Sequence, residues 1–258
     1  MAEKDGVQSV VRALSLLRLM AQGEGGARLS DLARAAGLPV STAHRLLTTL
    51  EQQGFAQFHP SDSAWHVGRD AFSTGMAYGR RLSFVAPALP LLRRLRDATR
   101  ETANLGILDD DHLVTVSQVE SRDIRRALSP PGRRVPVFSS AMGKAILATW
   151  RDEDVLALAE RTGLPPLTSK SLRSPGAAME DIARTRARGW ALDDEEFNLG
   201  MRCLAAVVWS PQGEAACAIS ISGAAARLPA DRLDQMGERV AQAAAQLTEL
   251  MGGTPPDA

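Results

Sequence analysis

The stretch from Leu29 to Thr49, LSDLARAAGLPVSTAHRLLTT, limits the possible folds most, because a helix stop and a helix restart stand side by side in it. Leu32, Ala33 and Ala36 share one face at helical spacing, and Ser30 is placed to cap that helix. Gly37 suits the left-handed conformation that ends a helix, with Leu38 folding back onto the apolar face. Pro39 suits the first position of the next helix, where its missing N–H would be unpaired anyway. In that second helix Leu46, Leu47 and Leu50 are expected to face inward, leaving Ser41, Thr42, His44, Arg45, Thr48 and Thr49 as a polar surface. Hydroxyls and one arginine on a short helix are what a recognition helix presents to base edges and phosphates in the major groove.

The flanking sequence agrees with this reading. Residues 7–20 form an amphipathic pattern with Val7, Val10, Leu14 and Leu17 as its apolar stripe. After Gly54, the run GFAQFHPSDSAWHVG places two short β-rich segments about the turn HPSDS. Three helices and a hairpin make a winged helix-turn-helix over residues 7–68. The expected DNA-contacting set is Ser30, Ser41, Thr42, His44, Arg45, Thr48 and Thr49. Residues 69–82, RDAFSTGMAYGRRL, read as a linker helix with Phe72, Met76 and Gly79 at helical spacing. Gly75 and Gly79 weaken it, as suits a connection between domains that shift.

Charge sets a condition on this role. The first 78 residues carry seven basic and seven acidic groups, and the whole chain is neutral. Non-specific affinity comes from phosphate neutralisation, so one copy holds DNA weakly. No acid lies between Asp31 and Glu51, where Arg34, His44 and Arg45 remain. A dimer would double these contacts and impose a half-site spacing. No apolar run is long enough to span a bilayer, and MAEKDG lacks a signal-peptide core, so a cytoplasmic location is expected. Two cysteines, Cys203 and Cys217, make no disulfide framework.

From Ser83 the pattern changes. SFVAPALPLLRRLRDATRE reads as an amphipathic helix broken early by Pro87 and Pro90. Strand-like runs follow at 102–108, 112–120 and 125–130, the first two joined by Asp109, Asp110 and Asp111. Helices are expected at 140–150, 152–162 and 175–188, and strands at 190–196, 203–210 and 215–223, with Pro211 to Glu214 as a turn. A closing helix spans 229–251. Short helices mixed with hairpin-linked strands give an α+β domain over 83–253 around a largely antiparallel sheet.

The segments VQSVVRALSLLRLM, LSDLARAAGLPVSTAHRLLTTLEQQGF, SSAMGKAILA and RARGWALDDEE, with Cys203 downstream, resemble the IclR family of bacterial transcriptional regulators across nearly the whole chain. The resemblance implies a GAF-like effector domain behind the winged helix-turn-helix, and a homodimer or homotetramer on double-stranded DNA. AWHVGRDAFSTGMAYGRR, VPVFSSAMGKAIL, LDDEEFNLGMRCLAA and CAISISGAAARLPADR are similar to the glyoxylate-responsive branch that includes the allantoin-utilisation repressor. That similarity implies effector contacts at Ser140, Ala141, Met142, Asp193, Cys203 and the Ser-x-Ser strand of Ser220, Ile221 and Ser222. The tripeptide Ser-Ala-Met departs from the branch, where Ser and two small residues are more usual, so Met142 is expected to narrow or alter the pocket.

The residue chemistry runs the same way. A helix starting near Ser140 offers unpaired N–H groups and a positive dipole end to a carboxylate. Ser220 and Ser222 are two apart on a strand and share a face. Asp193 and Cys203 suit a hydrated aldehyde or hydroxyl. The expected ligand is therefore a small 2-oxo acid, glyoxylate first and pyruvate or another small carboxylate second. The bland alternative gives Ser140 a capping role, Cys203 a packing role and the serines backbone partners. A cysteine-dependent enzyme acting on a small aldehyde acid is the rival from another class. It lacks an activating base, since His112 is the only histidine outside the winged domain. Neither cofactor nor metal is expected: His59 and His66 flank the wing turn, but their spacing fits no common zinc pattern.

Overall fold

The computed structural model describes residues 6–22, 25–79, 82–121 and 130–256. They fall into two compact units, Met1–Leu82 and Ser83–Ala258. Among the described residues, no helix is long and apolar enough to cross a membrane.

The first unit holds α1 (Gln8–Met20), α2 (Leu29–Ala35), α3 (Val40–Gln52), the hairpin β1 (Ala56–His59) and β2 (Ala64–Val67), and α4 (Arg69–Gly79). Leu16, Met20, Leu32, Ala33, Ala43, Leu47, Ala56 and Trp65 form its core. The core stripe of α1 differs from the expected one. Leu16 and Met20 point inward, while Val7, Val10 and Leu14 are exposed. The helix is apolar on two faces, and periodicity alone cannot choose between them. Two caps also differ. Arg28 precedes the first residue of α2, so Ser30 lies inside the helix, and Pro39 is the residue before α3 rather than its first. Gly37 ends the first helix with φ +63°, and the Leu38 N–H returns to the Ala33 carbonyl at 2.9 Å. The hairpin pairs Phe58 with Trp65 and His59 with Ala64.

The second unit begins with α5 (Val85–Thr99), which runs through both prolines. Pro87 falls in the first turn, where an N–H has no intrahelical acceptor. Pro90 lies inside, and the buried row Ala88, Leu91, Leu92 and Leu95 holds the helix together there. The strands are β3 (Thr102–Asp109), β4 (His112–Val119), β5 (Arg134–Pro136), β6 (Ala191–Asp194), β7 (Met201–Trp209) and β8 (Ala215–Ala224). They form one sheet in the order β5-β4-β3-β8-β7-β6. Every neighbouring pair is antiparallel. The expected strand at 125–130 lies, but for Pro130, outside the described residues.

Between the strands come α6 (Ala141–Leu147), α7 (Asp152–Thr162) and α8 (Pro175–Arg188), and the chain closes with α9 (Leu233–Leu250). Strand alternation gives the sheet two buried faces. Ala191, Ala205 and Ala218 meet Ala141, Met142 and Ala145 of α6 on one face. Leu204, Ile219 and Ile221 line the other, and α5 and α9 pack against the same strands and against each other. Val137 and Phe138 join α6, α7 and α8 in a second cluster.

Candidate functional site

Register builds the site before any side chain is considered. Asp193 pairs with Cys203, Cys203 with Ser222, and Ser222 with Thr102. Two residues along, Ala205 pairs with Ser220, Ser220 with Asn104, and Asn104 with Gln118. Directly paired residues share a face, so these rows lie side by side under the start of α6. There a cavity of about 40 Å³ is lined by Ser140, Ala141, Met142, Asp193, Cys203, Ser220 and Ser222, together with Asn104, Thr115 and Phe197. Ile221 is the exception among the expected residues. Alternation turns it to the opposite face, where it is fully buried.

The start of α6 is specific about which donors it offers. Ser140 caps the helix, its hydroxyl accepting from the Gly143 N–H at 3.4 Å. The Ser140 N–H itself goes to the Val137 carbonyl at 3.3 Å. Among the described residues, the N–H groups of Ala141 and Met142 are left without an acceptor in this first turn. Gly143 allows the close approach, since a Cβ there would lie 2.2 Å from the Val137 carbonyl oxygen. Gly106 does the same for Met142, whose thioether would sit 3.0 Å from an added Cβ. That glycine is why the bulkier methionine fits.

Asn104 orders the serines, and sequence reasoning passed over it. Gln118 donates to its side-chain oxygen at 2.7 Å, which fixes the amide's orientation. The Asn104 amide then donates to the Ser222 hydroxyl at 2.8 Å and to Ser220 at 3.2 Å. With their oxygens accepting, both serines keep a proton to donate, and the Ser222 hydroxyl lies within hydrogen-bond reach of the Cys203 sulfur. Thr115, also unforeseen, has a buried hydroxyl with no partner among the described residues. The signal available was a lone asparagine within the apolar run TANLGIL, and a threonine at an inward position of the next strand.

Asp193 closes the other side. Its Oδ1 accepts from the Glu196 N–H at 2.8 Å and the Phe197 N–H at 3.3 Å. Burial pushes its carboxyl up to about 7, against the opposing pull of Lys144, with Glu196 adding to the rise. Lys144 is fully buried behind it, 2.7 and 2.9 Å from the two Glu196 oxygens and 2.8 Å from Asp181. Burial alone would lower the lysine, but the charges of Glu196, Asp181 and Asp193 outweigh it and raise it. Burial, reinforced by Asp193, holds the Cys203 thiol well above its ordinary value. A thiol so raised is a poor nucleophile. His112 pairs with Asp111 and does not line the cavity.

In the first unit, Ser30, Ser41, His44, Arg45 and Thr49 are exposed, and Thr42 and Thr48 are half-buried. Thr49 donates its hydroxyl to the Arg45 carbonyl at 2.9 Å, so its proton is spent within the helix. His44 meets Trp65 edge-on, with centroids 6.4 Å apart. Val40, at the first position of α3, is also exposed.

Comparison with known proteins covers both units. Residues 9–60 match the IclR helix-turn-helix domain, and residues 76–249 match the bacterial transcriptional regulator IclR C-terminal domain. The chain is 41% identical over 249 residues to the transcriptional repressor IclR of Escherichia coli, covering 96% of this chain and 91% of that one. It is 31% identical over 251 residues to the repressor AllR of Salmonella typhi, covering 97% and 92%. Its fold matches, with a TM-score of 0.77, the structure of the Thermotoga maritima IclR at 23% identity, covering 96% of this chain and all of that one.

Proposed function

The chain belongs to the IclR family of bacterial transcriptional regulators, and from that premise we propose that a small 2-oxo acid, glyoxylate first, governs its hold on DNA. The chain is a DNA-binding regulator and not an enzyme. The observation that carries the effector reading is the small cavity of about 40 Å³, which brings several hydrogen-bonding groups together among apolar side chains. Drug-sized ligands need cavities of roughly 300 Å³ or more, so this one takes a two- or three-carbon acid.

The ligand carboxylate accepts from the Ala141 and Met142 N–H groups and from the Ser220 and Ser222 hydroxyls. Asn104 keeps those hydroxyls turned toward it. The aldehyde or its hydrate meets Asp193, Cys203 and the Thr115 hydroxyl. Pyruvate is the second reading, its methyl lying against Met142. Ligand changes DNA affinity only through its different affinities for two conformations, and the segment 69–82 transmits that preference.

On DNA, Ser41, Thr42, His44, Arg45 and Thr48 of α3 lie in the major groove, Val40 contacts a thymine methyl, and Ser30 supports the backbone contacts. The protein acts as a dimer or tetramer. The exposed apolar residues Val7, just before α1, Val10, Val11 and Leu14 of α1, and Phe72, Met76 and Tyr78 of α4, support this, since such faces are interaction surfaces.

Calorimetric titration of the full chain with glyoxylate and pyruvate tests the effector, alongside DNA binding with and without each acid. Ser222→Ala and Cys203→Ala each weaken glyoxylate by about 1–3 kcal/mol and leave ligand-free DNA binding in place. Arg45→Ala weakens operator binding by about 1–3 kcal/mol and leaves the heat of glyoxylate binding in place. If neither acid gives heat or changes DNA affinity, the effector reading fails and the regulator remains.

A further inference from the structure

The wing carries a cluster that neither the recognition helix nor the effector cavity uses. In the hairpin, His59 pairs with Ala64 and Gln57 with His66. His59 and His66 are thus diagonal neighbours on one face, although seven apart in sequence. Their ring centroids are 4.3 Å apart at 30°. Asp62, in the turn between them, has Oδ1 held by the Ala64 N–H at 3.0 Å. Its Oδ2 lies 3.1 Å from His66 Nε2.

We propose that His59, Asp62 and His66 form a binding site for a divalent transition cation on the wing. One ligand atom from each lies within 4.8 Å of the others. Ligands about 2.0–2.1 Å from a tetrahedral ion are roughly 3.4 Å apart, so the Asp62–His66 pair already has that spacing. A rotation of the His59 side chain that draws its nitrogen in from within 4.8 Å of the other two completes the set. Two imidazoles and one carboxylate suit zinc, cobalt or nickel, and not the all-oxygen shells of magnesium or calcium. Three protein ligands leave one coordination position open to water or to an anionic oxygen such as a DNA phosphate. The ion would also bring positive charge to a unit that is otherwise neutral, on the element beside the recognition helix.

Cobalt(II) titration of the metal-free full chain, read by its visible absorption and by equilibrium dialysis, tests the site. Wild type takes up one ion per chain. His59→Gln and His66→Gln each weaken uptake at least about tenfold, and Asp62→Asn weakens it too. His112→Gln, at the only histidine outside the winged unit, leaves it unchanged. The proposal is overturned if wild type takes up no ion at about 0.1 mM cobalt, or if both wing histidine variants bind as wild type does. Because His59 and His66 lie on the wing strands and Asp62 in their turn, circular dichroism of each variant checks that lost uptake is not lost fold.

Discussion

Asp193 is a carboxyl held at about 7 by burial, with Lys144 pulling it down and Glu196 pushing it up. Its folded value lies above the ordinary 3.8, so the folded chain keeps a proton that the unfolded chain releases. That difference lowers stability as pH rises from about 4 to about 7, with no further loss above. A bound carboxylate meets a neutral neighbour below 7 and a charged one above it. Glyoxylate affinity is therefore greatest on the acid side and falls by up to about tenfold per pH unit above 7, with one proton taken up on binding. Asp193→Asn keeps the acceptor for the Glu196 and Phe197 N–H groups and flattens the profile; calorimetry in buffers of different ionisation heat reads both effects. Met142 sets the size of the cavity. Met142→Ala opens space over Gly106, so the preference shifts from glyoxylate toward pyruvate and larger 2-oxo acids, measured as the ratio of their dissociation constants. The same substitution lowers stability by about 2–5 kcal/mol, because the methionine is buried.

Helix α6 is the element that joins the site to the core. Its seven residues are all buried, and Lys144 ties it to Glu196 just beyond β6 and to Asp181 on α8. Lys144→Met leaves Glu196 buried without its cation and Asp181 with only the exposed Arg184, and costs about 3–5 kcal/mol, seen as a lowered urea midpoint with an unchanged slope. Most elements were legible because local signals agreed: Gly37 stops α2, Ser174 and Pro175 start α8, and Gly189 ends it. What was not legible depended on tertiary context. The inward face of α1 is chosen by α2 and α3, not by its own pattern. Pro90 reads as a break until the neighbouring sheet holds the helix. Asn104 and Thr115 read as ordinary strand residues until the register sets them beside Ser220 and under α6. Ile221 was included by proximity in sequence, and the two-residue period of a strand removes it. His59 and His66, seven apart in sequence, become neighbours only through the hairpin register.

At the scale of the whole chain, the cavity exists only when strands from residue 102 to residue 224 are in register, whereas the winged unit folds around its own core. Ligand that binds only the folded second unit stabilises that unit alone, by about 2.7 kcal/mol at a hundred times its dissociation constant. Differential scanning calorimetry with saturating glyoxylate therefore moves the transition of the second unit and leaves that of the first in place. The sealed ammonium of Lys144 makes the same event visible chemically. The sequence holds three lysines, Lys4, Lys144 and Lys170. Lys170 is open to solvent, while Lys144 has no accessible surface. An amine-reactive label marks Lys170 in the folded chain and reaches Lys144 only when the second unit opens. Its rate of modification at Lys144, read by mass spectrometry, is an opening clock for that domain that needs no engineered probe.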